Sequence, residues 1–258
     1  MTRPGPSAPT SDLDPATPLR IAAWSGPRNI STAMMRAWES RGDCAVSDEP
    51  LYAHYLAATG LDHPGRDDVI AAGDTDWRRV AAALTGPVPG DRPVWYQKHM
   101  SHHLLPGLDT EWVHGLVSVF LIRDPALVVA SYLKSRATVT PDDIGLLQQA
   151  RLFDEVAGRS GEVPPVIDAE AFLLDPAAQL RALCARLELP FTERMLQWAA
   201  GPRSSDGVWA PHWYAAVWHS TGFEPPRPRE PQLTPAARAV AEACRPAYER
   251  LWAHRLRV

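Results

Sequence analysis

The chain has 258 residues, with 26 Lys+Arg against 30 Asp+Glu for a formal net charge of −4, and 45% of it is hydrophobic. That length suits one large domain or two small ones, able to bury roughly 70–75% of the unfolded surface, and the composition excludes disorder over the whole chain. The mildly acidic balance provides no field for tracking nucleic-acid phosphates, so any bound anion must be held by a local site.

Residues 1–18 contain Arg3 but continue in Pro, Ser, Thr and Asp, which reads as a disordered leader and not a secretion signal. Folding is expected to start at the apolar run 19–24, a strand that enters the turn Ser25-Gly26-Pro27. Residues 30–41 follow with Ala33, Met34, Ala37 and Trp38 at helical spacing, stopped by Gly42. A second strand is expected at 44–47, before Asp48-Glu49-Pro50, then a helix at 51–58. Residues 60–91 are polar and broken by Gly and Pro, with a short helix at 77–84. Strands follow at 94–97 and 116–122, the latter apolar almost throughout, as a central strand covered on both faces would be. Helices are expected at 126–136, 142–157 and 176–187, a strand at 165–168, and a last helix at 235–254 after the Pro-rich connector 225–231. Strands alternating with helices predict an α/β fold: a central parallel sheet with helices on both faces. Residues 19–258 show no internal repeat and no domain boundary, so they read as a single domain.

Two turns carry candidate anion chemistry. In Trp24-Ser25-Gly26-Pro27-Arg28-Asn29-Ile30-Ser31-Thr32 a strand turns into a helix whose first N–H groups lack internal partners and carry the positive end of the macrodipole. Arg28 adds a fixed cation, and Ser31 and Thr32 can donate hydroxyl hydrogen bonds to the same oxygens. The alternative is a Ser/Thr-capped helix after an ordinary turn. No Gly-Lys-[Ser/Thr] of a Walker loop is present. The second turn, Ile122-Arg123-Asp124-Pro125, closes the apolar strand, with Ser131 eight residues after Arg123. Ligands of open parallel sheets sit beyond the carboxyl ends of the strands, where Arg123 and Ser131 could meet a second phosphate. Alternatively, Arg123 is a surface ion-pair partner of Asp124.

Together these segments resemble the sulfotransferase family that uses 3′-phosphoadenosine 5′-phosphosulfate (PAPS). Pro27-Arg28-Asn29-Ile30-Ser31-Thr32 is similar to its 5′-phosphosulfate loop, P-[RK]-S-G-T-T, and Arg123, Pro125 and Ser131 to its 3′-phosphate motif. Val166-Ile167-Asp168-Ala169-Glu170, Asp175-Pro176 and residues 183–191 resemble the structural Y-E-D-L…D-P…L-G-L-P-F stretch, and 94–106 resembles I-K-T-H-L-P…L-L-P. The four matches stand in family order. Departures are Asn29 in place of Ser, Ile30 where many members have Gly, and Arg28 where small-molecule sulfotransferases usually have Lys; Arg is found there in the tyrosylprotein branch.

The resemblance implies a three-layer sulfotransferase-type P-loop fold and transfer of a sulfuryl group from PAPS, with adenosine 3′,5′-bisphosphate (PAP) as product and no metal required. It implies nucleotide contacts from Pro27, Arg28, Asn29, Ile30, Ser31, Thr32, Arg123 and Ser131. Arg203, in Arg203-Ser204-Ser205-Asp206-Gly207, loosely matches a basic loop that contacts the 3′ phosphate. Arg28 would stabilise charge on the bridging oxygen. Two residues compete for the base. Glu49 stands where tyrosylprotein sulfotransferases place a catalytic Glu. His99 falls, without gaps, on the catalytic His of cytosolic sulfotransferases, whereas a one-residue gap puts Lys98 on the family's active-site Lys. One or two of His99, His102 and His103 are expected to act, and a metal site in this cluster lacks partnering Cys or carboxylate spacing.

Trp209, Trp213 and Trp218 nearly share one helical face, either as core or as an aromatic wall over nucleotide or acceptor. A compact chain fits a small hydroxylated or amine acceptor, with no nucleic-acid or membrane partner and with a homodimer allowed. Cys44, Cys184 and Cys244 lack paired short spacing, and no apolar run reaches the ~18–20 residues that span a bilayer; both suggest a reducing, cytoplasmic setting. Two other readings stand beside this one: a kinase-like phosphotransferase of related fold, and a non-catalytic binder of adenosine 3′,5′-bisphosphate.

Overall fold

The computed structural model describes residues 18–226 and 230–258. The expected leader, except for Pro18, therefore lies outside the described residues, as do positions 227–229 of the Pro-rich connector. Five strands, β1 (Leu19–Ser25), β2 (Cys44–Asp48), β3 (Val94–Met100), β4 (Val117–Ile122) and β5 (Val166–Asp168), form one sheet in the order β2-β3-β1-β4-β5. Every pairing is parallel.

In chain order the helices are α1 (Ser31–Ser40), α2 (Tyr52–Thr59), α3 (Arg66–Ala72), α4 (Trp77–Thr85), α5 (Pro125–Tyr132), α6 (Pro141–Ile144) and α7 (Leu146–Ser160). They continue with α8 (Ala169–Leu174), α9 (Pro176–Arg186), α10 (Ala210–Trp213), α11 (Ala215–His219) and α12 (Pro235–Trp252). Among these, α5, α6, α9 and α12 start with one device: an Asp or Thr accepts a backbone N–H, and Pro occupies the first turn, where its missing N–H costs nothing.

Side-chain alternation along the central strands builds two cores. Ile21 and Ala23 of β1 pack with Val119 and Leu121 of β4 against Met34, Met35 and Trp38 of α1 and Leu180 and Leu183 of α9. Ala22 and Trp24 face the other side, with Phe120 and Ile122, against Val128 and Val129 of α5, Leu152 and Phe153 of α7 and Leu251 of α12. Both faces of β4 are thus covered, which accounts for its unbroken apolar sequence.

Besides the additional helix α8, three elements depart from expectation in ways that bear on the site. The helix expected at 142–157 breaks at Gly145 (φ 74°), which ends the Thr140-capped turn α6 and starts α7. The helix after β4 stops at Tyr132, short of 136. β3 runs on to Met100, so Lys98 and His99 lie within a strand and point to opposite faces. Among the described residues, no helix is long and apolar enough to cross a membrane.

Candidate functional site

The chain after β3 passes to the far side of β1 to form β4, so β1 and β4 are neighbours whose outgoing helices cover opposite faces. The turns leaving these strands diverge, and the crevice between them is where open α/β sheets take ligands. Gly26 permits the first turn: a Cβ there would lie 2.3 Å from the carbonyl oxygen of Ile144. Arg28 then adopts φ 56°, a left-handed backbone that costs a non-glycine residue on the order of 1 kcal/mol. Asn29 anchors the turn by donating from Nδ2 to the Leu121 carbonyl of β4 (3.1 Å) and accepting from Ile30 N–H (2.8 Å). No side chain caps α1, so its first N–H groups face the crevice beside the Ser31 and Thr32 hydroxyls.

Arg123 and Arg28 are tied together. Arg123 Nη1 donates to the Arg28 carbonyl (2.7 Å), and Arg28 Nε donates to Ser131 Oγ (3.1 Å). Arg123 also pairs with Glu170 (3.0 Å), while Asp124 caps α5 and pairs with Arg245 (2.7 Å). The expected Arg123–Asp124 alternative therefore does not form. Burial and the neighbouring Arg123 both hold the Arg28 pKa below its ordinary value, because two guanidiniums crowd one site. A polyanion would relieve that crowding, so the residues present fit a ligand carrying more than one negative charge.

The same cleft, about 450 Å³ in volume, continues from Arg28, Arg123 and Ser131 to Glu49 and Lys98. Glu49 leaves β2 at φ 42°, with its N–H held by the Lys98 carbonyl (2.9 Å). Lys98 Nζ, on β3 between β2 and β1, lies 2.8 Å from Asp48 Oδ1 and 2.5 Å from Glu49 Oε1, and donates to Tyr214 Oη at 2.8 Å. Tyr214 in turn donates to Asp48 Oδ2 (2.7 Å). Burial, reinforced by Asp48, raises the Glu49 pKa against the opposing pull of Lys98. Burial alone would lower the Lys98 pKa, but Asp48 and Glu49 carry it well above the ordinary value, so it remains a cation. Such a carboxyl, poised above its usual range and open to the cleft, suits general-base work.

Two expected site residues lie elsewhere. His99 is 1% exposed and points to the opposite face of β3, stacked on Trp24 with ring centroids 4.3 Å apart. Burial lowers its pKa to about 3. It is a core aromatic because strand alternation that sends Lys98 to the cleft must send His99 away from it. Arg203 does not line the cleft: its backbone N–H bonds Asp206 and its Nη2 donates to the Ala199 carbonyl, which points it back along its own loop. Pro27, Ile30, His102 and His103 do line the cleft. Burial holds His102 at about 4 and His103 well below its ordinary value, so both are neutral. His103 stacks between Tyr52 and Tyr55, at 4.9 and 4.6 Å.

The three tryptophans do not lie on one unbroken helix, since Tyr214 separates α10 from α11, but all three pack in one cluster with Tyr52, Tyr55 and Leu56. Trp209 is buried, Trp213 lines the cleft, and Trp218 donates to Asp206 (2.9 Å). Tyr214, Asp48, Arg136 and Glu170 take part in the site without belonging to any of the catalytic motifs. For Asp48 and Glu170 the signal was adjacency to a strand end, where side chains meet the ligand crevice; Tyr214 and Arg136 carried none. Among the described residues no group of three or more His, Cys, Asp or Glu side chains is arranged to hold a metal.

The family described as "Sulfotransferase domain" matches residues 19–254. Two curated proteins of Arabidopsis thaliana are similar. "Branched-chain-amino-acid aminotransferase-like protein 2" is 37% identical over 235 residues, covering 91% of this chain and 41% of that protein. "Branched-chain-amino-acid aminotransferase-like protein 1" is 38% identical over 244 residues, covering 93% and 42%. The chain thus spans about two fifths of the length of these relatives. Among solved structures, the sulfotransferase domain of the Synechococcus PCC 7002 olefin synthase superposes with a TM-score of 0.50 at 17% identity, over 88% of this chain and 94% of that one. A sulfotransferase from Alicyclobacillus acidocaldarius gives 0.50 at 16% identity, over 93% and 97%. At these identities the likeness concerns the fold.

Proposed function

The chain belongs to the sulfotransferase domain family, and on that premise we propose that it moves a sulfuryl group from PAPS to a hydroxyl or amine of a small-molecule acceptor. The observation that carries this reading is a single cleft joining the linked pair Arg28–Arg123, at the α1 start, to the Glu49–Lys98 pair. When bound, PAPS supplies an activated sulfuryl group on a phosphate leaving group.

Arg123 and Ser131 would hold the 3′ phosphate, and Arg28 with the first N–H groups of α1 and the Ser31 and Thr32 hydroxyls the 5′ side. Glu49 would accept the acceptor proton as the acceptor oxygen or nitrogen bonds to sulfur. The sulfur–oxygen bond to the phosphate then breaks, and its electron pair leaves on adenosine 3′,5′-bisphosphate, where Arg28 meets the growing charge. Lys98 fixes the Glu49 carboxylate, and Asp48 and Tyr214 fix Lys98. We take residues 19–258 as one catalytic domain. The reading places the enzyme in the cytoplasm, where Cys44, Cys184 and Cys244, all buried free thiols, stay reduced.

The test is incubation with PAPS and a metabolite extract, followed by mass spectrometry. A sulfate-sized gain on one or more small molecules, absent with Glu49→Gln, is expected. Phosphate-sized gains from ATP, with none from PAPS, would replace this reading with the kinase-like one.

A further inference from the structure

The end of the cleft around Glu49 holds a third guanidinium. Arg136 follows α5, lines the cleft, donates to the Asp62 carbonyl (3.1 Å) and rests over the Trp213 ring with its guanidinium carbon 5.6 Å from the centroid. It forms no ion pair among the described residues. Asp62 meets Arg136 through its backbone carbonyl, and Asp143 Oδ2 accepts from Thr140 N–H and Oγ1 in the α6 capping box.

Arg136 also stands apart from the nucleotide arginines. Arg28 and Arg123 meet Ser131, Glu170 and each other, whereas Arg136 meets the Asp62 carbonyl and the Trp213 ring. Tyr52 links Glu49 to Arg136: its N–H donates to the Glu49 carbonyl (3.0 Å), and its Oη meets His63, the chain neighbour of the Asp62 that Arg136 contacts. Two further polar side chains there are neutral. Tyr52 Oη shares a hydrogen bond with His63 Nδ1 (2.8 Å), and burial followed by Arg136 lowers the His63 pKa to about 4. A half-buried guanidinium with no ion pair among the described residues, set among aromatic walls in the cleft that also holds Glu49, can receive one anionic group on the molecule presented to Glu49.

We propose that the acceptor is a small carboxylate, bound through Arg136 with its body against Tyr52, His103 and Trp213, so that its hydroxyl or amine meets Glu49. This rests on the sulfotransferase reading for the identity of the base. It adds a specificity-determining residue and an acceptor class: hydroxy or amino acids over their neutral counterparts.

The test measures equilibrium binding by calorimetry, using a panel of aromatic and aliphatic hydroxy acids, each beside its amide. Titrations are run with and without saturating adenosine 3′,5′-bisphosphate, on the full chain and on Arg136→Met and Arg136→Lys. At least one acid is expected to bind about tenfold or more tightly than its amide, the worth of one charge-assisted pair. Arg136→Met should abolish that preference, Arg136→Lys should keep part of it, and nucleotide affinity should stay unchanged in both. The proposal is overturned if no acid outbinds its amide, if Arg136→Met keeps the preference, or if Arg136→Met weakens the nucleotide instead. Failure of the nucleotide to bind the unmodified protein would count against the donor reading alone, because the acid-against-amide comparison is also made without it.

Discussion

Glu49 is held in place by charge and by backbone. Its carboxylate meets Lys98 Nζ at 2.5 Å, and its positive φ swings the side chain from the end of β2 into the cleft. Replacing it with Gln keeps the shape and removes the proposed base, so kcat is expected to fall by about 10²–10⁴ with nucleotide affinity unchanged. Because burial raises the Glu49 pKa and the base works deprotonated, kcat should rise with pH along a limb centred above the ordinary carboxylate value of about 4.3, and Glu49→Gln should erase that limb. His99 gives the opposite prediction. His99→Ala leaves a void beside Trp24, at a cost of roughly 2–4 kcal/mol measured by denaturant unfolding, while the kcat of the folded fraction is retained. Lys98 and His99 also show where the sequence was legible. Both alignments of the Gln97–Pro106 segment were open, since a motif does not say where a strand ends. The answer lay in the length of β3, and a polar run such as Gln97-Lys98-His99 gives no apolar alternation from which to read it.

At the scale of elements, the turn after β1 depends on Gly26 as much as on its polar residues. Gly26→Ala would push a Cβ against the Ile144 carbonyl at 2.3 Å, separating the turn after β1 from the end of α6. The expected loss is about 1–3 kcal/mol of stability, with nucleotide binding weakened in the folded protein, both accessible by thermal melting with and without ligand. The 203–219 segment is docked in a comparable way. Asp206 pairs with buried Arg36 at 2.6 Å, Gly207 N–H donates to Asp48 (3.1 Å), and Tyr214 reaches Asp48 and Lys98. Strands and helices with apolar periodicity, such as β1, β4, α1 and α9, could be read from the residues alone. The break at Gly145 and the split of the Trp-rich segment at Tyr214 could not, because each depends on what a turn packs against: His102 and Gly26 in one case, Asp48 in the other.

Across the whole molecule, the buried histidines couple fold to pH. His99 and His102 have folded pKa values of about 3 and about 4, below the unfolded value of about 6.5. The unfolded chain therefore takes up protons first as pH falls. Their contribution to stability is complete above about pH 6.5 and is lost toward pH 3–4, by up to about 1.4 kcal/mol per pH unit for each group. Urea unfolding from pH 7 to 5 should show this decline, and His99→Gln should make it shallower. The global charge of −4 leaves anion binding to the local arrangement at the ends of β1 and β4. Isothermal titration of adenosine 3′,5′-bisphosphate and of ATP into the unmodified protein and into Arg123→Ala tests it directly. The expected result is preference for the bisphosphate, with its affinity reduced about tenfold or more by Arg123→Ala. Equal affinity in the two proteins would contradict it.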